Sequence, residues 1–337
     1  MDRAKEAAAE AADAAPILPG GALSPKRAAR LPGAARFVLA VVLSFALSAL
    51  GRSFVDHWSN NEMGSIAREI TSQTELSVLA GWKLFGLALG WYAGYDGFDL
   101  AALALLSHGP VTFVTTVFYG IRGLTASAYL AVEIASASLP FLLLRRLSAA
   151  HSAAPRTPGL EVVLDRTILA LTWSQSAGLY ISVLLVASHF ILPTNFVLYF
   201  QGIPTVQPAA DASLFGPGNV AGVPLSMLCG LAARSFIFVP LVSTEPVAAA
   251  DVWIAAFDPV HATLLSTLQW NLFGYTTRAR LSVSRISVAV LFTAVGTYLD
   301  TAVAINGVEP YGGVVYAAVW VVATVITGGM LHAIACT

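Results

Sequence analysis

Long apolar segments separated by short polar ones extend through the chain from residue 37 to residue 334. Each segment is about 20 residues long, the length that an α-helix needs to cross the roughly 30 Å hydrocarbon core of a membrane. The pattern predicts nine such segments, at residues 37–55, 76–95, 99–120, 123–144, 167–192, 223–243, 252–275, 286–306 and 312–334. The predicted fold is an all-α, polytopic transmembrane helical bundle.

Basic residues predict the orientation of the bundle, because Lys and Arg are enriched in cytosolic loops. The 145–166 loop carries four arginines, whereas the 193–222 loop has no Lys or Arg. A basic group also precedes the first segment: Lys26, Arg27, Arg30 and Arg36. The N-terminus is therefore predicted to be cytosolic, with four crossings before residue 145.

The count of nine conflicts with a later basic group, Arg278, Arg280 and Arg285. These arginines lie in the cytosol only if one earlier segment fails to cross. Segment 252–275 is the weakest, because Asp258-Pro259 interrupts it and its end is polar. The sequence therefore predicts eight crossings with both termini cytosolic.

The composition limits the possible functions. Hydrophobic residues make up 57% of the chain and charged residues 11%, with a mean hydropathy of +0.73, which is typical of an integral membrane protein. The net charge of −1 argues against nucleic-acid binding. Cys229 and Cys336 show neither metal-ligand spacing nor a disulfide framework. Residues 1–35 are Ala-rich and predict a disordered cytosolic tail, followed by a transmembrane helical domain at 36–337.

Ionisable side chains inside the apolar segments are candidates for function, because a charge in a bilayer is costly. Glu133, in LAVEI, and Asp300 are predicted as catalytic acids. For Glu133 the alternative is a structural contact between helices. Lys83 and Arg234 are expected to snorkel or to pair with an acid. No haem site is predicted, because His108 precedes a Gly-Pro pair that is expected to break the helix.

Two aspartates, Asp96 and Asp99, lie in GWYAGYDGFD between the second and third segments. One helix through 76–107 would be about 48 Å long, too long for a single crossing, so the Asp-Gly pair is predicted to form a turn. In one interpretation the aspartates are solvated there or cap the next helix. In the other they face a cavity, hold a proton or Mg²⁺, and act in catalysis.

A second polar group, RSFVDHWSNNEMG, follows the first segment at residues 52–64. Asp56 and Asn60, like His57 and Asn61, are four residues apart, so a continuing helix would place each pair side by side. An interfacial loop containing a Trp is the alternative. The residues predicted to bind a substrate here are His57, Asn60, Asn61 and Glu62.

Aromatic residues are frequent around the second segment, and Trp91 and Tyr95 are predicted to bind a substrate. Their π-faces would stabilise a cation during an isoprenoid cyclisation that a buried acid starts. In length, in its eight spans, in its basic Ala-rich tail and in DHWSNNE and GWYAGYDGFD, the sequence resembles the fungal membrane-bound terpene cyclases of ascofuranone and ascochlorin biosynthesis. It lacks the Asn-x-x-Trp-Glu motif of the shorter, seven-span meroterpenoid cyclases.

The resemblance implies an isomerase-type enzyme of secondary metabolism that closes a ring on a prenylated aromatic bearing a terminal epoxide. It implies no metal and no redox cofactor, a hydrophobic substrate, an endoplasmic reticulum membrane with its lipids, and other enzymes of the pathway as partners. Two other functions remain open on the residues alone. One is a transporter or channel for a small amphiphile, with Glu133, Asp300 and Arg234 along its path. The other is a non-catalytic scaffold.

Overall fold

In the computed structural model, the described residues are 32–152, 158–204, 217–244, 251–258, 261–273 and 275–336. The chain divides into two units, Met1–Arg36 and Phe37–Thr337. Residues 1–31 of the predicted tail lie outside the described residues, so the disorder of this tail stays a prediction. The first helix begins at Gly33.

The described residues form helices and no sheet, which confirms the predicted all-α fold. The helices are α1 (Gly33–Trp58), α2 (Gln73–Tyr92), α3 (Gly97–Val117), α4 (Gly123–Leu144), α5 (Leu160–Leu164), α6 (Arg166–Phe190), α7 (Leu192–Tyr199), α8 (Pro217–Ala233), α9 (Val252–Ala255), α10 (Leu264–Phe273), α11 (Thr277–Tyr298) and α12 (Pro310–Cys336). Two of them continue through wider π-helical segments. α8 continues through Arg234–Phe238 and a last α-turn, Val239–Val242, and α11 continues through Leu299–Val303.

Seven helices of the described chain are long and apolar enough to cross a membrane: α1, α3, α4, α6, the extended α8 (Gly222–Val242), the extended α11 (Thr277–Val303) and α12. α2 has 20 residues, which span about 30 Å and therefore also suffice. It is less apolar because it begins with Gln-Thr-Glu and contains Lys83. The bundle of about eight spans predicted from the sequence is confirmed.

The connections between the spans meet in two groups, one at each end of the helices. At the Asn306 end, defined by residues 59–72, 118–122, 200–203 and 304–309, the Arg68 amide donates to Ala304 O at 2.8 Å and the Asn306 amide to Ile66 O at 2.9 Å. At the Ser148 end, defined by residues 93–96, 145–152, 243–244 and 275–276, the Ser148 amide donates to Asp96 at 3.0 Å.

α2 connects these two ends. Arg68, just before α2, contacts the Asn306 end, and Asp96, just after it, contacts the Ser148 end. α2 therefore runs through the bundle antiparallel to α1 and α3, as a crossing helix must. In the predicted orientation the Ser148 end is the cytosolic one.

Segment 252–275 folds as two short helices within its described residues. α9 has 4 residues and α10 has 10, so they extend about 6 Å and about 15 Å, too little to cross a bilayer. This agrees with the prediction that the segment does not cross. Leu264, Leu265 and Leu268 of α10 are exposed, as expected for a helix lying at a membrane surface.

Eight crossings place Cys336 and Ser65 on opposite sides of the membrane, and this can be measured by cysteine labelling. Cys336 is exposed at the Ser148 end, and Cys229 is buried and serves as an unreactive background. In sealed microsomes, a membrane-impermeant maleimide is expected to label Cys336 directly. A Ser65→Cys site, studied in a Cys336→Ser chain, is expected to be labelled only after permeabilisation. Labelling of both sites from one side would contradict eight crossings.

Candidate functional site

Five ionisable side chains from five different spans meet inside the bundle. They are Arg52 of α1, Lys83 of α2, His108 of α3, Glu133 of α4, and Asp300 of the π-helical segment that follows α11. Glu133 lies near the middle of its helix, about 15 Å from either end. We call these residues the charged cluster. With the two acids ionised and Arg52 and Lys83 protonated, these four charges balance, and protonation of His108 would then set the net charge.

Glu133 is the most enclosed member of the charged cluster, with its side chain 9% exposed. Its Oε1 accepts from Arg52 Nε at 2.8 Å and from Ser48 Oγ at 3.1 Å. Its Oε2 accepts from Lys83 Nζ at 3.3 Å, and Lys83 also donates to Ser136 Oγ at 3.1 Å. Two cations and a hydroxyl therefore favour the ionised carboxylate. Lys83 pairs with an acid, as predicted.

His108 and Asp300 form the shortest contact of the charged cluster. His108 Nδ1 lies 2.5 Å from Asp300 Oδ2, and its other ring nitrogen, Nε2, lies 4.0 Å from Glu133 Oε2. A carboxylate on one ring nitrogen fixes the orientation of the imidazole and stabilises its protonated form. His108 can therefore hold a proton on Nε2, within the cavities described below.

The backbone sets the distance between His108 and Asp300. α3 continues through Pro110, so the predicted helix break after His108 was wrong. α3 also packs closely against α11, because a Cβ atom at Gly296 would overlap the Ser107 side chain. Ser107 precedes His108, and Gly296 lies one turn before Asp300. The π-helical segment then widens the helix at Asp300, a feature common at functional sites.

Two cavities meet at the charged cluster. One has a volume of about 290 Å³ and the other about 160 Å³, and Arg52, His108, Glu133 and Asp300 line both. The remaining walls are mainly apolar, which is typical of sites for hydrophobic small molecules. Ser107 lines the larger cavity, and its buried Oγ has no hydrogen-bond partner among the described residues.

Aromatic rings form one wall of the larger cavity. Trp82 and Phe292 line it, with ring centroids 5.2 Å apart, and Phe85 stacks on Trp82 at 5.4 Å. Such rings present negative π-faces to a cation. The sequence analysis placed this role on Trp91 and Tyr95, which line neither cavity. Arg145 lies over Trp91 and Arg285 over Tyr95 instead.

Asp96 and Asp99 cap α3, which confirms one of the two interpretations. Asp96 Oδ1 accepts from the amides of Phe98 and Asp99 at 3.0 Å, and Asp99 Oδ2 accepts from the Asp96 amide at 3.3 Å. Both residues are buried, so of the two alternatives in that interpretation, solvation or capping, the structure shows capping. They lie at the Ser148 end and line neither cavity.

Each of these aspartates already has a cationic partner. Arg285 Nη1 lies 2.7 Å from Asp99, and His151 Nδ1 lies 2.8 Å from Asp96. Burial alone would raise the pKa of the Asp96 carboxyl, but hydrogen bonds from His151, Asp99 and Ser148 lower it below its ordinary value. The ligand atoms of Asp96, Asp99 and His151 are close enough for a metal ion. A metal would nevertheless have to displace the Arg285 guanidinium from Asp99 and replace the contact between His151 and Asp96, so a structural role fits better.

The polar group after α1 is not arranged as the helical pairing predicted. α1 ends at Trp58, and Asn60 and Asn61 have positive φ angles of 55° and 56°. Asn60 and Asn61 therefore lie in a turn beyond the helix, outside the helical geometry on which the predicted pairing depends. His57, Asn60 and Asn61 are exposed, and none of them lines either cavity.

Glu62, in the same turn, connects α1 to α4. It accepts from Thr125 Oγ1 at 2.7 Å and from Arg122 Nε at 2.5 Å. The hydrogen bond from Thr125, with the charge of Arg122, lowers the pKa of the Glu62 carboxyl. Glu62 also lines neither cavity, so its contacts indicate a structural role in the turn.

Sequence reasoning therefore identified Glu133 and Asp300 but not their three partners as site residues. Lys83 was expected only to snorkel or to pair with an acid. Arg52 was seen as part of a polar loop motif, and His108 as a residue next to an expected helix break. The signal that would have found them is an ionisable side chain at the same membrane depth as Glu133 in each of the other spans.

Comparison with protein-family models, curated proteins and solved structures finds no match to this chain.

Proposed function

We propose that this integral membrane protein is a terpene cyclase that opens a terminal epoxide on a prenylated aromatic by acid catalysis and closes a ring. The observation that carries the proposal is the His108–Asp300 pair, 2.5 Å apart, at the junction of two largely apolar cavities. Acid–base groups are scarce inside membranes, and here they line a space suited to a hydrophobic substrate.

In the proposed reaction, protonated His108 donates its Nε2 proton to the epoxide oxygen. The C–O bond at the more substituted carbon breaks as the π-electrons of the prenyl chain attack that carbon, and the positive charge moves along the chain. Trp82 and Phe292 offer their π-faces to this charge. Loss of a proton from the final cation returns His108 to its protonated form, so the product is an isomer of the substrate.

Asp300 orients His108 and stabilises its protonated form, as the partner carboxylates of catalytic histidines do. Glu133 has a different proposed role from the proton donation predicted by the sequence analysis. Its contacts with Arg52 and Lys83 favour a carboxylate without a proton to give. Glu133 balances these two cations, and its charge 4.0 Å from His108 favours the imidazolium.

A transporter for a small amphiphile is the second candidate. Two cavities on a shared charged cluster favour it, because such an arrangement is also found along proton-coupled pathways. In either function, the proposed location is the endoplasmic reticulum. The N-terminus is proposed to lie in the cytosol, since the Ser148 end carries the basic loops. Other enzymes of the same pathway are the proposed partners.

Microsomes that contain the chain and have no ion gradient test the proposal. With a terminal epoxide of a farnesylated phenol as substrate, we expect a product of unchanged mass that has lost the epoxide and gained a ring, measured by mass spectrometry and NMR. The same phenol without the epoxide should remain unconverted. Accumulation of intact epoxide in sealed vesicles, without conversion, would favour the transporter.

A further inference from the structure

Arg234 is a cation buried inside the bundle. It is 5% exposed at the start of the π-helical segment that follows α8. Its Nε donates to Thr172 Oγ1 at 2.8 Å, its Nη2 to Val163 O at 3.4 Å, and the guanidinium lies over the Phe238 ring. Within the part of the chain that the structure describes, no carboxylate forms an ion pair with it. Of the two expectations for Arg234, snorkelling or pairing with an acid, the described residues show no acid pair.

A groove of about 620 Å³ lies directly beside Arg234 at the Ser148 end. Thr172 and Phe238, which contact Arg234, form part of its wall. The rest of the wall comes from α5, α6, Val239–Val242 and α12 and is largely apolar. Among the described residues that line the groove, Arg278 carries a charge and none is Asp or Glu. An apolar groove beside two cations suits an amphiphile with an anionic head.

Arg278 has hydrogen-bonding capacity left for such a head. Its Nε and Nη2 donate to Thr244 O at 3.3 Å and 2.8 Å, and its Nη1 donates to Ala335 O at 3.4 Å. A guanidinium has five N–H groups, so these three bonds leave two. The described residues place carbonyls, and no carboxylate, on Arg278.

We propose that this groove binds one anionic phospholipid from the leaflet at the Ser148 end. The phosphate lies at Arg278, where Arg234 adds positive potential from behind Thr172. The acyl chains lie along the apolar wall formed by Ile168, Leu171 and Val242. Charge complementarity selects this occupant, and basic pockets at the cytosolic side of helical membrane proteins bind anionic headgroups by the same physics.

The test measures the thermal unfolding of the purified full chain in mixed micelles of phosphatidylcholine and phosphatidylglycerol. Phosphatidylglycerol is expected to raise the unfolding temperature of the wild type in a saturable way. Arg278→Gln should weaken the apparent affinity about tenfold, as loss of a charge-assisted hydrogen bond predicts. An unfolding temperature independent of the lipid headgroup would overturn the proposal.

Arg278→Gln also removes bonds to two helix ends, so a second variant leaves Arg278 in place. Val162 is an exposed residue of the groove wall, and Val162→Glu places a negative charge there. We expect it to weaken phosphatidylglycerol binding, whereas Val162→Gln, of the same size, should not. Equal affinity in Val162→Glu and Val162→Gln would contradict the proposed site. So would equal stabilisation by inorganic phosphate in phosphatidylcholine alone.

Discussion

Replacing Asp300 by Asn is expected to lower turnover of the epoxide substrate by about 10²- to 10⁴-fold, the range found when one partner in general acid catalysis is lost. Asn keeps the shape of Asp300, but it cannot stabilise a protonated imidazole 2.5 Å away. His108 would then lose the carboxylate that stabilises its imidazolium form, the acid that opens the epoxide in the proposed reaction. The measurement is the initial rate of product formation in microsomes, normalised to the amount of folded protein.

Asp165→Asn is the matched control for this experiment. Asp165 caps α6 from an exposed position, where it accepts from the Thr167 amide at 2.7 Å. Asn is an equally good N-cap, so this variant should keep wild-type turnover. Wild-type turnover in Asp300→Asn as well would remove the His108–Asp300 pair from the reaction.

Replacing Glu133 by Gln is expected to destabilise the protein by about 3 kcal/mol, at the low end for a broken buried ion pair. The variant leaves Lys83 and Arg52 near one another without the carboxylate that both contact. The cost is at the low end because the Arg52 side chain is 54% exposed and water screens it. Unfolding by denaturant in detergent micelles measures the change, with Glu161→Gln, at an exposed position, as control.

A double variant separates the two roles of Glu133. Adding Lys83→Met to Glu133→Gln removes one uncompensated cation, so part of the lost stability should return. If Glu133 were the proton donor of the sequence-based prediction, Glu133→Gln would instead abolish turnover with unchanged stability. Loss of stability that Lys83→Met relieves would support the charge-balancing role.

The number of spans was predictable because each crossing helix needs an apolar segment long enough to span the hydrocarbon core, and such a segment can be seen in the local sequence. The turn at Asp96 was predictable for a similar reason, since a cap is a local interaction. The charged cluster was not, because His108 and Asp300 are 192 residues apart in sequence and meet only through packing of α3 on α11. The sequence of a single helix shows which side chains are costly to place in a membrane. It does not show which side chains of other helices pair with them.

Two local rules also failed for physical reasons. Pro110 does not break α3, because a membrane helix tolerates a proline where packing against neighbouring helices stabilises it, and Tyr316 Oη holds this part of α3 by donating to Pro110 O at 2.7 Å. The π-helical segment that carries Asp300 has no sequence pattern separate from an α-helix. Its position can therefore be identified only from the backbone conformation in the structure.

The contact of Gly296 with Ser107 determines which part of the site is able to open. α3 and α11 have no room for relative sliding there, so they act as a rigid frame that holds His108 and Asp300 at a constant separation. α1 is the least buried of the seven apolar spans, and it contributes Arg52 to both cavities. Outward displacement of α1 therefore costs the least packing. In the proposed function, a hydrophobic molecule would enter sideways from the lipid, past a movable helix, and meet the proposed proton donor at a fixed position.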